Sequence, residues 1–304
     1  MLAHGLAQTI DKSYNESVQR RRCPSQSDPE RHMRRHILLI GPPGTPRSAS
    51  ADLVRLAARL DSVRQGIAAA SLADDAGALA PRHALARIGC QPVDALVLVV
   101  CRIITDRWLA WPASSLTALG IPDTPTTEVI PALGAHPALV QLLCQRSHEA
   151  LYLAHHGCTT QRPPALRPDV SRPCPVFTAI GAILVAPGSA AELPDEPLHR
   201  LCDALTDQPP FAQVLGARLD HGGGALHAAM AHYVATGVTT IILVRCTLLP
   251  DGPFDATLAH ALAAYRQRYP QLTIVVSAPL GYDRRSVAAI AACVGTTSLA
   301  HNAS

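Results

Sequence analysis

The sequence predicts an α/β protein built from two tandem three-layer units, each with a four-stranded parallel sheet, facing a shared cleft. Three observations lead there. The segment Ala182-Ile-Leu-Val-Ala-Pro-Gly-Ser189 echoes Ile37-Leu-Leu-Ile-Gly-Pro-Pro-Gly44, and Pro187 lies 145 positions beyond Pro42. The same offset of 145 aligns Asp94–Asp106 with Thr239–Asp251, placing Cys246 on Cys101 and Asp251 on Asp106. Finally, the runs Leu96–Val100 and Ile241–Val244 are continuous and rich in β-branched residues, as strands buried on both faces of a parallel sheet are. Self-similarity at one fixed offset is the mark of a unit used twice.

Each element follows from a local pattern. His36-Ile-Leu-Leu-Ile40 is an apolar run that breaks into a Gly/Pro turn, and Leu53, Leu56, Leu60 and Val63 then recur at helical spacing. In the second unit Leu198, Leu201 and Leu205 do the same. A weaker strand near Ile67 to Leu72, matched near Val214 to Leu219, precedes a second helix at Ala76 to Ile88 or Gly224 to Ala235. Beyond the buried third strands come short strands at Glu128–Ile130 and Thr273–Val276, then closing helices at Pro137–Glu149 and Ser286–Cys293. A further motif pair, Pro131-Ala-Leu-Gly134 and Pro279-Leu-Gly281, fits with a shift of two or three residues. Between the units, Gly157 to Pro175 holds five prolines and reads as an extended linker. The expected division is a disordered leader at 1–35, with Met33 an alternative start, unit one at 36–150, a Pro-rich linker at 151–176, unit two at 177–298 and a tail at 299–304.

Composition narrows the function classes. The 304 residues suit about two domains, and no apolar run approaches the roughly 18 residues of a membrane span. The basic side chains number 26 against 23 acidic, and the leader alone holds seven basic and four acidic ones, so the net charge of +3 belongs to the leader. A neutral body argues against nucleic acid as the main partner. Nine cysteines without a Cys-x-x-Cys pair make neither a disulfide framework nor a zinc ribbon, and reduced thiols suit a cytoplasmic protein. The leader contains Arg20-Arg-Arg22 and no uninterrupted apolar core, so it does not read as a secretory signal.

The first turn resembles the start of a phosphate-binding loop, because Gly41-Pro-Pro-Gly-Thr45 opens as many such loops do. A phosphate cradle needs Gly-Lys-Ser/Thr at the next three positions. Pro46, Arg47 and Ser48 stand there instead. Proline removes an N–H donor, and arginine does not replace the compact lysine ammonium. The expectation is no nucleotide cofactor.

In parallel sheets, ligands sit beyond the carboxyl ends of the strands. In both units those ends carry the turns at 41–48 and 186–192 and the segments at 101–109 and 246–254. In order along the chain, Ala186-Pro-Gly-Ser189, Ala217-Arg-Leu-Asp220, Leu248-Leu-Pro-Asp-Gly-Pro-Phe254 and Pro279-Leu-Gly281, with Leu133-Gly-Ala-His-Pro137 in the first unit, resemble the sirohydrochlorin chelatase family of the CbiX/SirB type. The pattern Leu-Leu-x-Asp-Gly-x-Phe is similar to the degenerate second unit of two-unit actinobacterial members.

That resemblance implies a cytoplasmic monomer or weak homodimer that binds a tetrapyrrole and takes Co²⁺ or Fe²⁺ as substrate. It implies Gly41, Gly44, Ser189, Gly252, Arg47, Arg102 and Arg245 against the macrocycle, the arginines receiving its carboxylates, with Asp75 and Asp220 at the acidic place as proton acceptors. The family's two histidines, which hold the entering metal, have no counterpart: their places are Pro42 and Leu109 in unit one, Pro187 and Phe254 in unit two. Cys101 and Cys246, at equivalent strand ends, are the candidate metal ligands in their stead, the bland alternative being two small buried hydrophobes. For any one arginine the bland alternative is an ordinary surface residue. His136 reads as a cap rather than a ligand. Two functions stay open, a cobalto- or ferrochelatase of cobalamin or sirohaem synthesis, and an inactive tetrapyrrole-binding or partner subunit. A more distant one is an α/β enzyme using Asp220 as general base.

Overall fold

A computed structural model describes residues 35–41, 47–61, 67–71, 81–88, 95–103, 127–130, 132–156, 180–188, 196–208, 211, 213–219 and 223–301. The leader, most of the linker, and the expectations placed on Pro42, Gly44, Asp75, Leu109, Ser189 and Asp220 lie outside the described residues.

The first half runs β1 (Arg35–Gly41), α1 (Arg47–Asp61), β2 (Ile67–Ser71), α2 (Pro81–Ile88), β3 (Ala95–Val100), β4 (Thr127–Ile130) and α3 (Pro137–His156). The second runs β5 (Ile180–Pro187), α4 (Glu196–Thr206), β6 (Val214–Leu219), α5 (Gly224–Ala235), β7 (Thr240–Arg245), α6 (Gly252–Arg268), β8 (Thr273–Val276) and α7 (Arg284–His301). Both sheets have four strands, ordered β2-β1-β3-β4 and β6-β5-β7-β8, and all pairings are parallel. The duplicated sequence is therefore a duplicated fold, with the buried third strands β3 and β7 in the same place of each sheet.

Strand alternation explains why those runs are apolar throughout. Ile37, Leu39, Val97 and Val99 face one hydrophobic cluster, while Leu38, Ile40, Leu96 and Leu98 face another. In the second sheet Ala182, Leu184, Ile242 and Val244 share the first cluster, and Ile183, Val185, Ile241 and Leu243 face a third cluster under α5 and α6. One core thus runs through both halves. The helices at its centre are exchanged: α3, which closes the first half in sequence, packs on α4, β7 and β8, and α7 packs on α3 and α1. Residues Arg35–Ser304 form one compact unit as a result. Both closing helices are longer than expected, because the exchange continues their buried face past Glu149, at Ala150 and Leu151, and past Cys293, at Val294. No described helix is long and apolar enough to cross a membrane.

Gly181 in β5 is required by a close approach. A Cβ there would stand 2.8 Å from Cγ of the Tyr233 ring, and the ring is fixed by its hydroxyl, shared between the carbonyls of Ala182 and Gln213 at 3.0 Å each. Retreat of the ring would break those bonds. Gly181→Ala is therefore expected to lower stability by about 1–3 kcal/mol, the usual cost of overpacking, seen as a lower urea midpoint with an unchanged slope.

Candidate functional site

The strand ends of the two halves are built alike. Past β3 the Cys101 N–H still donates to Ile40 O at 2.9 Å, and past β7 the Cys246 N–H donates to Val185 O at 2.8 Å. The next residues are held by the Leu-Gly motifs. Leu133 and Gly134 N–H groups donate to the carbonyls of Arg102 and Ile103, both at 2.9 Å, and those of Leu280 and Gly281 to Thr247 and Leu248 at 3.0 and 2.7 Å. Gly134 and Gly281 have φ of 64° and 66°, a left-handed turn that glycine takes without a Cβ penalty. Their motif pair thus serves to satisfy the backbone of the segments leaving the sheet.

These segments meet in a crevice lined by Cys101, Arg102, Pro187, Cys246, Thr247, Leu248, Leu249 and Asp251. Its free volume is about 10 Å³, room for little more than one water. Arg102 comes from the first half and Asp251 from the second; their Nη2 and Oδ2 atoms are 3.9 Å apart and both side chains are buried. That separation is an ion pair beyond hydrogen-bond reach. Asp251 has another task, since its Oδ1 accepts from Phe254 N–H at 3.3 Å and caps α6. Burial pulls the Arg102 guanidinium below its ordinary value, and the charge of Asp251 works against that pull.

The other arginines differ. Arg245 pairs with Asp255 and lies 5.9 Å from the centre of the Phe254 ring. Burial pushes the Asp255 carboxyl up, with Arg245 opposing. Arg245 is thus tied to the first turns of α6 and does not line the crevice. Gly41 ends β1, and Gly252 starts α6 directly after the capping aspartate. Arg47 is the first residue of α1. The sequence reading missed Arg218, which is 1% exposed and donates to Pro187 O at 3.4 Å. A signal existed: Arg218 is a charged residue inside the otherwise apolar second strand read at Val214 to Leu219. His136 accepts from Ala138 N–H through Nδ1 at 3.2 Å, at the start of α3, which is the capping contact expected.

Cys101 and Cys246 are both brought to the crevice, and both are 1–2% exposed. Burial pushes the Cys101 thiol up to about 12; it pushes Cys246 up further, with Cys202 adding to the effect and Arg218 opposing it. A thiolate, not a thiol, binds metal. Among the described residues no group of three or more His, Cys, Asp or Glu gathers as a metal site. Two protonated thiols and one carboxylate already shared between a helix cap and a guanidinium do not fit the needs of Co²⁺ or Fe²⁺. Both cysteines are expected to resist iodoacetamide at neutral pH in the native protein and to react only on unfolding, as peptide mass spectrometry would show.

Comparison with known proteins agrees with this architecture. A family model described as CbiX matches residues 181–296, the second sheet and its helices. No curated protein matches the chain. Among solved structures, DR2241 from Deinococcus radiodurans, a multi-domain protein with structural similarity to chelatases, superposes with a TM-score of 0.56 at 14% identity over 86% of this chain. The match spans 55% of DR2241, so this chain corresponds to about half of that protein. SirB from Bacillus subtilis with Fe³⁺ gives a TM-score of 0.59 at 12% identity, covering 87% of this chain and 96% of SirB. The sirohydrochlorin chelatase SirB from Bacillus subtilis subspecies spizizenii, in complex with cobalt, gives 0.55 at 10%, covering 84% and 92%. With the repeated strand order and these superpositions in agreement, the fold of this chain is chelatase-like in both halves.

Proposed function

We propose that this protein binds a tetrapyrrole at the carboxyl ends of its two sheets and does not insert metal by a histidine mechanism, acting as an inactive binding or partner subunit in cobalamin or sirohaem synthesis. One observation carries the reading: where the two halves meet, the described lining holds a buried guanidinium and no imidazole. An arginine is the side chain best suited to a carboxylate, through two parallel hydrogen bonds. Neutral imidazole is the usual donor and proton acceptor near pH 7, and Pro187 and Phe254 can do neither task. The SirB likeness supports sirohydrochlorin as the macrocycle to try first. A cytoplasmic monomer or weak homodimer is part of the same proposal.

The test is an absorbance titration of the full chain with sirohydrochlorin in the absence of metal. A saturable spectral shift with micromolar affinity is expected. A linear response up to high micromolar protein overturns the reading.

A further inference from the structure

Away from the crevice, α3 carries a thiol and an imidazole side by side. Cys144 and His148 are four residues apart in this helix, so they share one of its faces, and Cys144 Sγ lies 3.8 Å from His148 Nδ1. Neither residue lines the crevice. Unlike Cys101 and Cys246, Cys144 is only partly buried, and His148 reaches solvent. The imidazole is also oriented from the other half of the chain, because its ring stacks on Phe211 with centroids 6.5 Å apart and planes 11° from parallel. Phe211 is itself buried.

The separation suits chelation. Zinc bonded to sulfur at about 2.3 Å and to an imidazole nitrogen at about 2.0–2.1 Å, at a tetrahedral angle, holds the two atoms about 3.5 Å apart. A modest opening of that angle gives the observed 3.8 Å. Two ligands at i and i+4 on one helix face are also how metalloprotease helices present a pair of histidines to zinc. Partial burial holds the His148 imidazole below its ordinary value, which leaves it neutral at pH 7 with a lone pair for a metal. Burial raises the Cys144 thiol, and Cys144 has a further contact of its own; what the metal takes is a sulfur lone pair, the thiol proton passing to solvent as the bond forms.

We propose that Cys144 and His148 hold a single thiophilic divalent cation of the Zn²⁺ kind, through Sγ and Nδ1, on a solvent-reached face of α3. Thiolate and imidazole together favour such an ion over hard cations. Among the described residues no group of three or more His, Cys, Asp or Glu gathers here, and the adjacent Glu149 is committed to Gln145 and Arg146. Water therefore fills the remaining coordination positions, and the affinity is micromolar rather than that of a closed four-ligand site. The site is independent of the tetrapyrrole reading.

The experiment uses Zn²⁺ on the reduced full chain, with Mg²⁺ as the hard-cation reference, and follows alkylation of Cys144 by iodoacetamide with peptide mass spectrometry. Micromolar Zn²⁺ is expected to slow that alkylation at least tenfold, reversibly on adding EDTA, and Mg²⁺ to leave it unchanged. His148→Gln, which removes the nitrogen donor, is expected to need at least tenfold more Zn²⁺ for the same protection. Other histidines and cysteines of the chain also take up metal, so a second measurement isolates Cys144: in a Cd²⁺ titration followed by ultraviolet thiolate-to-metal absorption, Cys144→Ser is expected to lose one equivalent relative to wild type. Alkylation indifferent to Zn²⁺ overturns the proposal, and so does a Cd²⁺ titration in which Cys144→Ser matches wild type. Equal protection in wild type and His148→Gln overturns it too, leaving a lone thiol whose contact with His148 is a hydrogen bond only. The first readout needs wild type alone, so it decides the matter even where a variant fails to fold.

Discussion

Asp251→Ala is expected to cost about 3–5 kcal/mol, the largest single loss of stability among the site residues. Removing one member of a buried ion pair leaves the other charge in a medium that solvates it poorly, and such losses are typically about 3–5 kcal/mol. Both side chains of the Arg102–Asp251 pair are less than one tenth exposed, so water does not replace the lost carboxylate. The same substitution deletes the cap of α6, worth about 1 kcal/mol where it has been measured in other helices. The long Nη2–Oδ2 separation pulls the other way, because a loose pair gains less attraction to lose. The total therefore sits toward the lower end of the range. Arg102→Met combined with Asp251→Ala should recover about half or more of the loss, since a buried pair replaced by apolar groups is often nearly neutral. Urea midpoints of the single and double variants give the coupling directly, and a double variant no more stable than Asp251→Ala would show that the pair is not what holds the two halves at this point.

Much of the fold was legible because periodicity and repetition report backbone and core. Leu96–Val100 and Ile241–Val244 are apolar on both faces because helices cover both faces, and that constraint leaves an unbroken run in the sequence. The Leu-Gly motifs were visible as a repeat, but their task, hydrogen bonding to the segments that leave β3 and β7, depends on pairs about thirty residues apart. The exchange of α3 and α7 was not legible. A helix shows its apolar stripe in sequence but not which sheet that stripe covers.

At the site, the legible part was location and loss. Cys101 and Cys246 follow from alignment of the two halves and the missing histidines from the family resemblance, whereas the Arg102–Asp251 pair joins residues 149 positions apart by no repeat rule. Arg102 read as one of several flanking arginines, and only its burial separates it from Arg245, which is tied to Asp255.

Insertion of Co²⁺ into sirohydrochlorin is expected to proceed less than tenfold faster with the protein than without it. The metal must shed water while the macrocycle loses two protons, so a catalyst places donors and a base beside the ring. One well-placed acid–base group contributes about 10²- to 10⁴-fold. The described crevice supplies none that is ready: the Cys101 and Cys246 thiols are held protonated by burial, and Asp251 is shared between Arg102 and the α6 cap. Substituting a histidine back is not a remedy at residue 254. Phe254 packs in the core between the second sheet and helices α5 and α6, so Phe254→His should lower stability by about 3 kcal/mol, near the cost of emptying a buried aromatic site, without raising the rate. Absorbance of the metallated product, followed with wild type, Phe254→His and no protein, checks both statements. A hundredfold acceleration by wild type would mean that a base outside the described lining does the work, and Asp220→Asn and Asp75→Asn would then be the variants expected to abolish it.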